Sequence, residues 1–359
     1  MLQRILVAFR ALSAIGLCAL SALPLSASLN LDFNFNGTVS VDAQAAALRA
    51  AGTWESVLTD DVTVTVDFGF ASLGASTLGS TSSVSLQGGY DLIRDQMIAD
   101  NAVESAPNAI LNSLPTAAAA SFTFLGNYSS NAITYGLSGD LSATKANFKA
   151  LGFSGLDTNF GASDGTFSFS DSFNFDFDNR DGVSAGSYDF ESVVLHEIGH
   201  VLGFMSVVDE IDYRLAQGET TIDGIAPTIL DLFRFDSDNL PTDDAEFAAF
   251  ARDLSTEDSA SLSDTSIAYT VETGRATGSG QQASHFKDNG GIGTMDPTLS
   301  PGEVAVLSAA DLLALDLIGW DVNPEAFSAV PEPAATALLT ASLALLCVMR
   351  RRSRRYAKV

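Results

Sequence analysis

Two of the chain's three histidines stand four residues apart in "SVVLHEIGHVLGFMS", Ser192 to Ser206, with a glutamate beside the first. If that segment is helical, His196 and His200 lie one turn apart on one face, and both imidazoles can reach a single point. Glu197 emerges beside them, close enough to act on a water held at that point. Neutral imidazoles suit zinc, which tolerates a coordination position left open for water or substrate. Chance would produce His-Glu-x-x-His roughly once in a thousand sequences of this composition, so the pattern outweighs a pair of merely structural histidines.

The element that must carry these residues is legible. Asp189 is placed to cap a helix, the apolar Phe190, Val194, Ile198, Val201 and Leu202 recur at helical spacing, and Gly203 ends the run as a C′ residue would. A catalytic zinc ordinarily takes a third protein ligand. Position 206, six residues past His200, is serine. The remaining candidates are His285, the chain's last histidine, and the carboxylates of Glu219, Asp209 and Glu210. Glu219 lies nineteen residues past His200, near the spacing at which thermolysin-like enzymes supply a glutamate. Against it, "QGETT" reads as a turn, Gly203 bends the chain away instead of extending the helix, and imidazole is the commoner zinc ligand.

Around His285 the sequence runs "QQASHFKDNGGIGTMDPTLSPGEVAVLSAADLLALDLIGWDV", with Met295 ten residues on and a Leu-rich helix expected from Ser308 to Ile318, before Gly319 and Trp320. Together with "HEIGHVLGF", this resembles the leishmanolysin-like branch of the metzincins, in which a long insertion displaces the third zinc histidine. The residues carrying the likeness are Ser284, His285, Phe286, Met295 and the final helix. The resemblance implies a zincin fold and zinc-dependent endopeptidase activity. It implies His196, His200 and His285 as ligands, Glu197 as general base and Met295 as the apolar floor of a Met-turn. The disulfides common in that family have no counterpart here, since Cys18 and Cys347 both lie in the end segments.

The rest of the chain alternates helix-like and strand-like stretches. A helix is expected over Asp42–Val57, with Leu48 and Trp54 as core contacts, and another over Tyr90–Asn101. "VTVTVDFGF", Val62–Phe70, alternates strictly and reads as a half-buried strand. The Ser/Gly-rich segment after it reads as loop with an edge strand near Val84–Leu86. In "TFSFSDSFNFDFD", Phe167 and Phe169, then Phe173, Phe175 and Phe177, suggest a hairpin turning at Ser170-Asp171. Helices with mostly hairpin-connected strands give an α+β domain. The expected organisation is an upper catalytic subdomain over 29–204, with a mixed twisted sheet and the active-site helix, and a mainly helical and irregular lower one over 205–325.

Both ends look like processing signals. Residues 1–28 combine a short basic start, an apolar run and the small residues Ser26, Ala27 and Ser28, as a secretory signal peptide does. At the other end a linker, 326–333, leads to an apolar stretch, Ala334–Met349, and a basic tail, 350–359. Val330, Pro331, Glu332 and Pro333, then the apolar stretch, then the arginines resemble the PEP-CTERM sorting signal of bacterial surface proteins. That resemblance implies export, a transient transmembrane anchor, and a membrane-embedded sorting protease as a partner at the cell envelope. The same layout also fits a permanent single-pass anchor.

Residues 29–330 carry 43 acidic against 10 basic side chains, a formal charge of −33. Such a surface repels nucleic acid and anionic lipid. Without cysteine in this region, disulfides, a thiolate zinc site and a cysteine nucleophile are all excluded. The acidity leaves calcium open as a second ion, but "DFDNRDG", Asp176–Gly182, departs from the calcium-loop register at Phe177 and reads as a solvated acidic turn, as does "FRFDSDNLPTDD". The functional expectation is an exported zinc endopeptidase acting on protein or peptide substrates. The competing class is a non-catalytic envelope or matrix protein on a zincin scaffold, which would have no need of Glu197 or His285.

Overall fold

The structure is a computed structural model and describes residues 28–116, 124–125, 134–257 and 259–329. The expected signal peptide (except Ser28), the Pro331-Glu332-Pro333 element, the apolar stretch and the basic tail therefore lie outside the described residues. Among the described residues, no helix is long and apolar enough to cross a membrane.

The domain is mixed α and β. Its main sheet contains β1 (Asn30–Phe35), β2 (Thr63–Ala71), β3 (Gly79–Ser83) and β6 (Gly165–Ser170) in the order β1-β2-β6-β3. The first three strands in that order are parallel, and β3 closes the edge antiparallel to β6. Between β3 and β6 the chain forms β4 (Ser85–Gly89), α2 (Tyr90–Asn101) and β5 (Asp140–Thr144), with β4 and β5 paired antiparallel. Val64, Val66 and Phe68 are buried at alternate positions of β2, as its pattern requires. Phe68, Phe169 and Phe190 form the aromatic centre of the core, with ring centroids 4.7 Å apart for the first pair and 4.8 Å for the second.

α1 (Val41–Glu55) begins at Ser40, whose side chain accepts from the Ala43 N–H. Its inner face is Ala43, Ala46, Ala47, Ala50 and Ala51, small residues that let it lie against α3 (Phe190–Leu202), with the buried Trp54 at its end. Leu48, expected in the core, is 55 % exposed, because it falls outside this alanine stripe. Trp54 is where it was expected, and its indole N–H donates to the Leu195 carbonyl of α3 at 3.0 Å. The second tryptophan, Trp320, donates to the Leu202 carbonyl at 2.8 Å, so both indoles of the chain tether the same helix.

The expected Phe hairpin does not form. Both sides of β6 are already paired, with β2 and β3, so no edge remains for residues 173–177. Phe175–Asp176 instead pairs in parallel with Tyr188–Asp189, and Phe175 and Phe177 pack on Phe190 with ring centroids 5.1 and 4.9 Å away. The strand expected near Val84–Leu86 forms as Ser85–Gly89, paired with β5 outside the main sheet, and the edge of the main sheet is a further strand just before it, Gly79–Ser83. No hairpin joins neighbouring strands of the main sheet: β1 reaches β2 through α1, a short loop carries β2 past the β6 position to β3, and a long crossing returns from β3 to β6. The sharp hairpin joins β8 (Ala260–Ser263) to β9 (Ala268–Val271), with β7 (Arg234–Asp236) on the far side of β8.

After α3 the chain forms α4 (Val208–Ala216), whose Val208, Ile211 and Leu215 make a small separate core with Ile222, Ile225, Leu254 and Ala283. The closing helix, α5 (Ala309–Leu317), begins with a capping box between Ser308 and Asp311. The two acidic motifs are turns that use their own groups. Asp178 pairs with Arg180 at 2.6 Å, and Asp176 accepts from the Asp178 and Ser184 N–H groups. Asp236 accepts from the Asp238 N–H, and Asp243 caps the short helix Asp244–Ala249.

Candidate metal centre

α3 presents His196 and His200 one turn apart on the face turned toward a cleft of about 1130 Å³. Its N-cap is Asp189, which accepts from the Ser192 N–H at 3.2 Å. It stops at Gly203, whose φ of +124° suits a residue without Cβ. The turn has a chemical consequence: Phe204 folds back, its N–H donating to the Gly199 carbonyl and its own carbonyl lying 2.9 Å from His200 Nδ1.

His285 arrives from the far side of the cleft, and among the described residues the three histidines form one cluster. The Nε2 atoms of His196 and His200 are 3.1 Å apart, those of His196 and His285 3.1 Å, and those of His200 and His285 3.3 Å. The opposite nitrogens define the protons. His196 Nδ1 lies 2.8 Å from the Thr294 carbonyl, His200 Nδ1 2.9 Å from that of Phe204, and His285 Nδ1 3.1 Å from that of Gln282. A carbonyl only accepts, so each Nδ1 carries the hydrogen and each Nε2 presents a lone pair in the neutral ring. Desolvation first, and the neighbouring imidazole second, push all three histidines down to about 3, which keeps the rings neutral. Three lone pairs therefore converge without a proton to share. A cation between them relieves that repulsion, and the separations match ligands about 2.0 Å from one tetrahedral ion. The residues fit a zinc ion.

Glu197 is 4 % exposed beside this triangle, and the Thr81 hydroxyl of β3 donates to its Oε2 at 2.6 Å. Burial pushes its carboxyl up to about 7, opposed by the Thr81 hydrogen bond. Met295 is fully buried beneath α3. A Cβ at Gly199 would stand 2.3 Å from its sulfur, so the glycine inside His-Glu-Ile-Gly-His is what lets the methionine approach. The backbone around Met295 is fixed by α5: the Thr294 and Met295 N–H groups donate to Asp311 at 3.0 and 3.1 Å. One carboxylate thus caps α5 and holds the carbonyl that orients His196.

The carboxylate rivals do not enter the triangle. Glu219 pairs with Arg214 at 2.9 Å on the surface, and Glu210 lies 3.5 Å from the same guanidinium. Asp209 accepts from the Ala283 and Ser284 N–H groups, next to His285 but not toward the other imidazoles. Sequence reasoning missed Thr81, Asp209 as an acceptor, and Asp311. The first sits in a uniform Ser/Thr-rich stretch with no distinguishing signal, whereas Ser308-x-x-Asp311 carries a readable cap pattern. Comparison with protein-family models, with curated proteins and with solved structures finds no match for this chain.

Proposed function

We propose that residues 29–330 form an exported zinc-dependent endopeptidase of the zincin class, with a metzincin-type third ligand, His285. The single observation that supports this most is the convergence of three deprotonated Nε2 atoms beside a buried carboxylate, at the floor of an open cleft. Three neutral nitrogen ligands without thiolate suit zinc with a position left open.

When bound, zinc would supply Lewis acidity, acidifying a water and polarising the scissile carbonyl. Glu197 takes the proton of the attacking water and delivers it to the departing amine. Burial raises its carboxyl above the ordinary range, which favours its taking up a proton. Thr81 holds one carboxylate oxygen and leaves the other for the water. The cleft wall includes β3, whose outer side is an unpaired sheet edge among the described residues, and an extended peptide can add to such an edge through backbone hydrogen bonds. Substrates would then be recognised chiefly as extended chain.

Export is part of the proposal and rests on the two end segments of the sequence. The test is metal content and peptide hydrolysis by purified residues 29–330. One zinc per chain and chelator-sensitive cleavage of an unfolded protein are expected; a protein refolded in zinc that holds none would sink the reading.

A further inference from the structure

α4 is the first element of the long segment that separates His200 from His285, and it places Asp209 and Asp212 one turn apart. Each carboxylate receives consecutive backbone N–H groups, and a hydroxyl, from the loop that ends in His285. Asp212 accepts from the Ala276 N–H at 2.8 Å, the Thr277 N–H at 2.6 Å and the Thr277 hydroxyl at 2.7 Å. Asp209 accepts from the Ala283 N–H at 2.6 Å, the Ser284 N–H at 3.1 Å and the Ser284 hydroxyl. The same Ser284 oxygen accepts from the Ser206 N–H at 2.9 Å, just beyond the α3 exit. Ser206 and Val207 are fixed in turn by Asp231, which accepts from the Ser206 hydroxyl at 2.6 Å and the Val207 N–H at 2.9 Å.

These contacts form a continuous path. α3 carries two imidazoles, its exit residue binds Ser284, and Ser284 is joined to Asp209 and directly precedes the third imidazole. Ala283, which donates to Asp209, is itself packed among Val208, Ile211 and Leu215 of α4. Charge-assisted hydrogen bonds of this kind are stronger than neutral ones, and groups that orient a ligand govern how well a site is preorganised. We propose that Asp209 and Asp212 are positioning residues for the third metal ligand: the two-point clamp on α4 fixes the 276–284 loop so that His285 meets the histidines of α3. This rests on the three-histidine cluster being a zinc centre.

The test compares zinc dissociation constants, the visible spectrum of the cobalt-substituted protein and the unfolding of the metal-free domain for Asp209→Asn and Ser284→Ala. Asn cannot accept all three donors and turns an NH2 toward backbone N–H groups; Ser284→Ala removes only a hydroxyl and serves if the first variant fails to fold. Zinc affinity lower by about 10–100-fold for Asp209→Asn, with a cobalt spectrum shifted from the parent's tetrahedral bands, is the expected result. Ser284→Ala should move both in the same direction by less. A merely structural role would lower metal-free stability but leave affinity and spectrum of the folded protein unchanged, and that result overturns the clamp. A parent that holds zinc while both variants hold it equally tightly overturns the clamp alone; a parent that holds none overturns the metal reading with it.

Discussion

Among the described residues two places gather like donor groups: the three imidazoles on the cleft floor, and the carboxylates of Asp100, Glu104 and Asp321, at the end of α2 and just after α5. They differ in what stands behind the donors. Every imidazole has its second nitrogen on a carbonyl, so the converging atoms are aimed and their protonation is set. In the acidic group, Asp100 Oδ2, Glu104 Oε1 and Asp321 Oδ1 are enclosed with no hydrogen-bond partner. Burial and mutual repulsion push Asp100 up to about 7 and Glu104 to about 8, and Asp60 nearby also to about 8. The imidazoles can relieve their repulsion only by taking a cation between them, whereas the carboxyls can relieve theirs by keeping protons. Donor proximity alone does not make a metal centre; the outer contacts that fix orientation and proton state do.

The comparison is broken most severely at the third imidazole. His285→Ala should lower zinc affinity by far more than the roughly 10–100-fold expected from losing an outer partner, and should abolish hydrolysis. Glu219→Ala should leave zinc binding within error, since Glu219 is engaged with Arg214. Zinc titration against a chelator of known affinity reads both. The reverse pattern would move the third ligand to a carboxylate and leave the peptidase reading standing.

The next effect separates binding from chemistry within the same site. Glu197→Gln keeps shape and can still meet the Thr81 hydroxyl, but it cannot take a proton. Zinc content should stay near the parent's while kcat falls by about 10²–10⁴-fold. Cleavage of an unfolded protein at the parent rate would show that the base is elsewhere.

How much of this was readable depends on how local the determinant is. The helix from Phe190 follows from local periodicity with its Asp189 cap and Gly203 stop, and the helix over Tyr90–Asn101, which has no side-chain cap, from its own run of residues. Sheet order does not. The Phe173–Phe177 segment has strand alternation, yet β6 has no free edge to offer it, a fact set by residues about a hundred positions earlier. Leu48 failed for a similar reason: the face of α1 that is buried is chosen by small residues that admit α3, not by the largest apolar side chain. At the site, the histidines and Glu197 announce themselves by type and spacing. The carbonyls of Thr294, Phe204 and Gln282 cannot, because every residue carries one and only the fold selects which three face an imidazole.

A smaller effect concerns the packing under the metal helix. Gly199→Ala brings a methyl into the space of the Met295 sulfur, and Met295 is fully buried. Overpacking of this kind costs about 1–3 kcal/mol. Chemical denaturation should show that loss, and Gly199→Ala combined with Met295→Ala should cost less than the sum of the two single changes, because the truncated side chain no longer meets the methyl. Equal stability of parent and single variant would mean that the methionine does not lie against the helix.

The smallest expected effect tests the acidic group directly. In the unfolded chain these carboxyls lose their protons near pH 4, whereas in the folded domain Asp100 keeps its proton to about 7 and Asp60 and Glu104 to about 8. Between those limits the folded state binds more protons, so stability is greatest at the acid end of the window and falls as pH rises through 7 to 8, with no further loss from these groups above that. Asp100→Asn with Glu104→Gln removes two of the protons at issue. The double variant should melt a few degrees above the parent at pH 8 and close to it at pH 5, with zinc saturating in both. Asp100 and Glu104 are partly open to solvent, which screens the repulsion and keeps the shift modest. Parallel melting curves across that range would show that the crowding is relieved in some other way. A parent whose loss at pH 8 is reversed by millimolar calcium, with the double variant indifferent, would turn the comparison over, since the carboxyls would then be using a cation in the way proposed for the imidazoles.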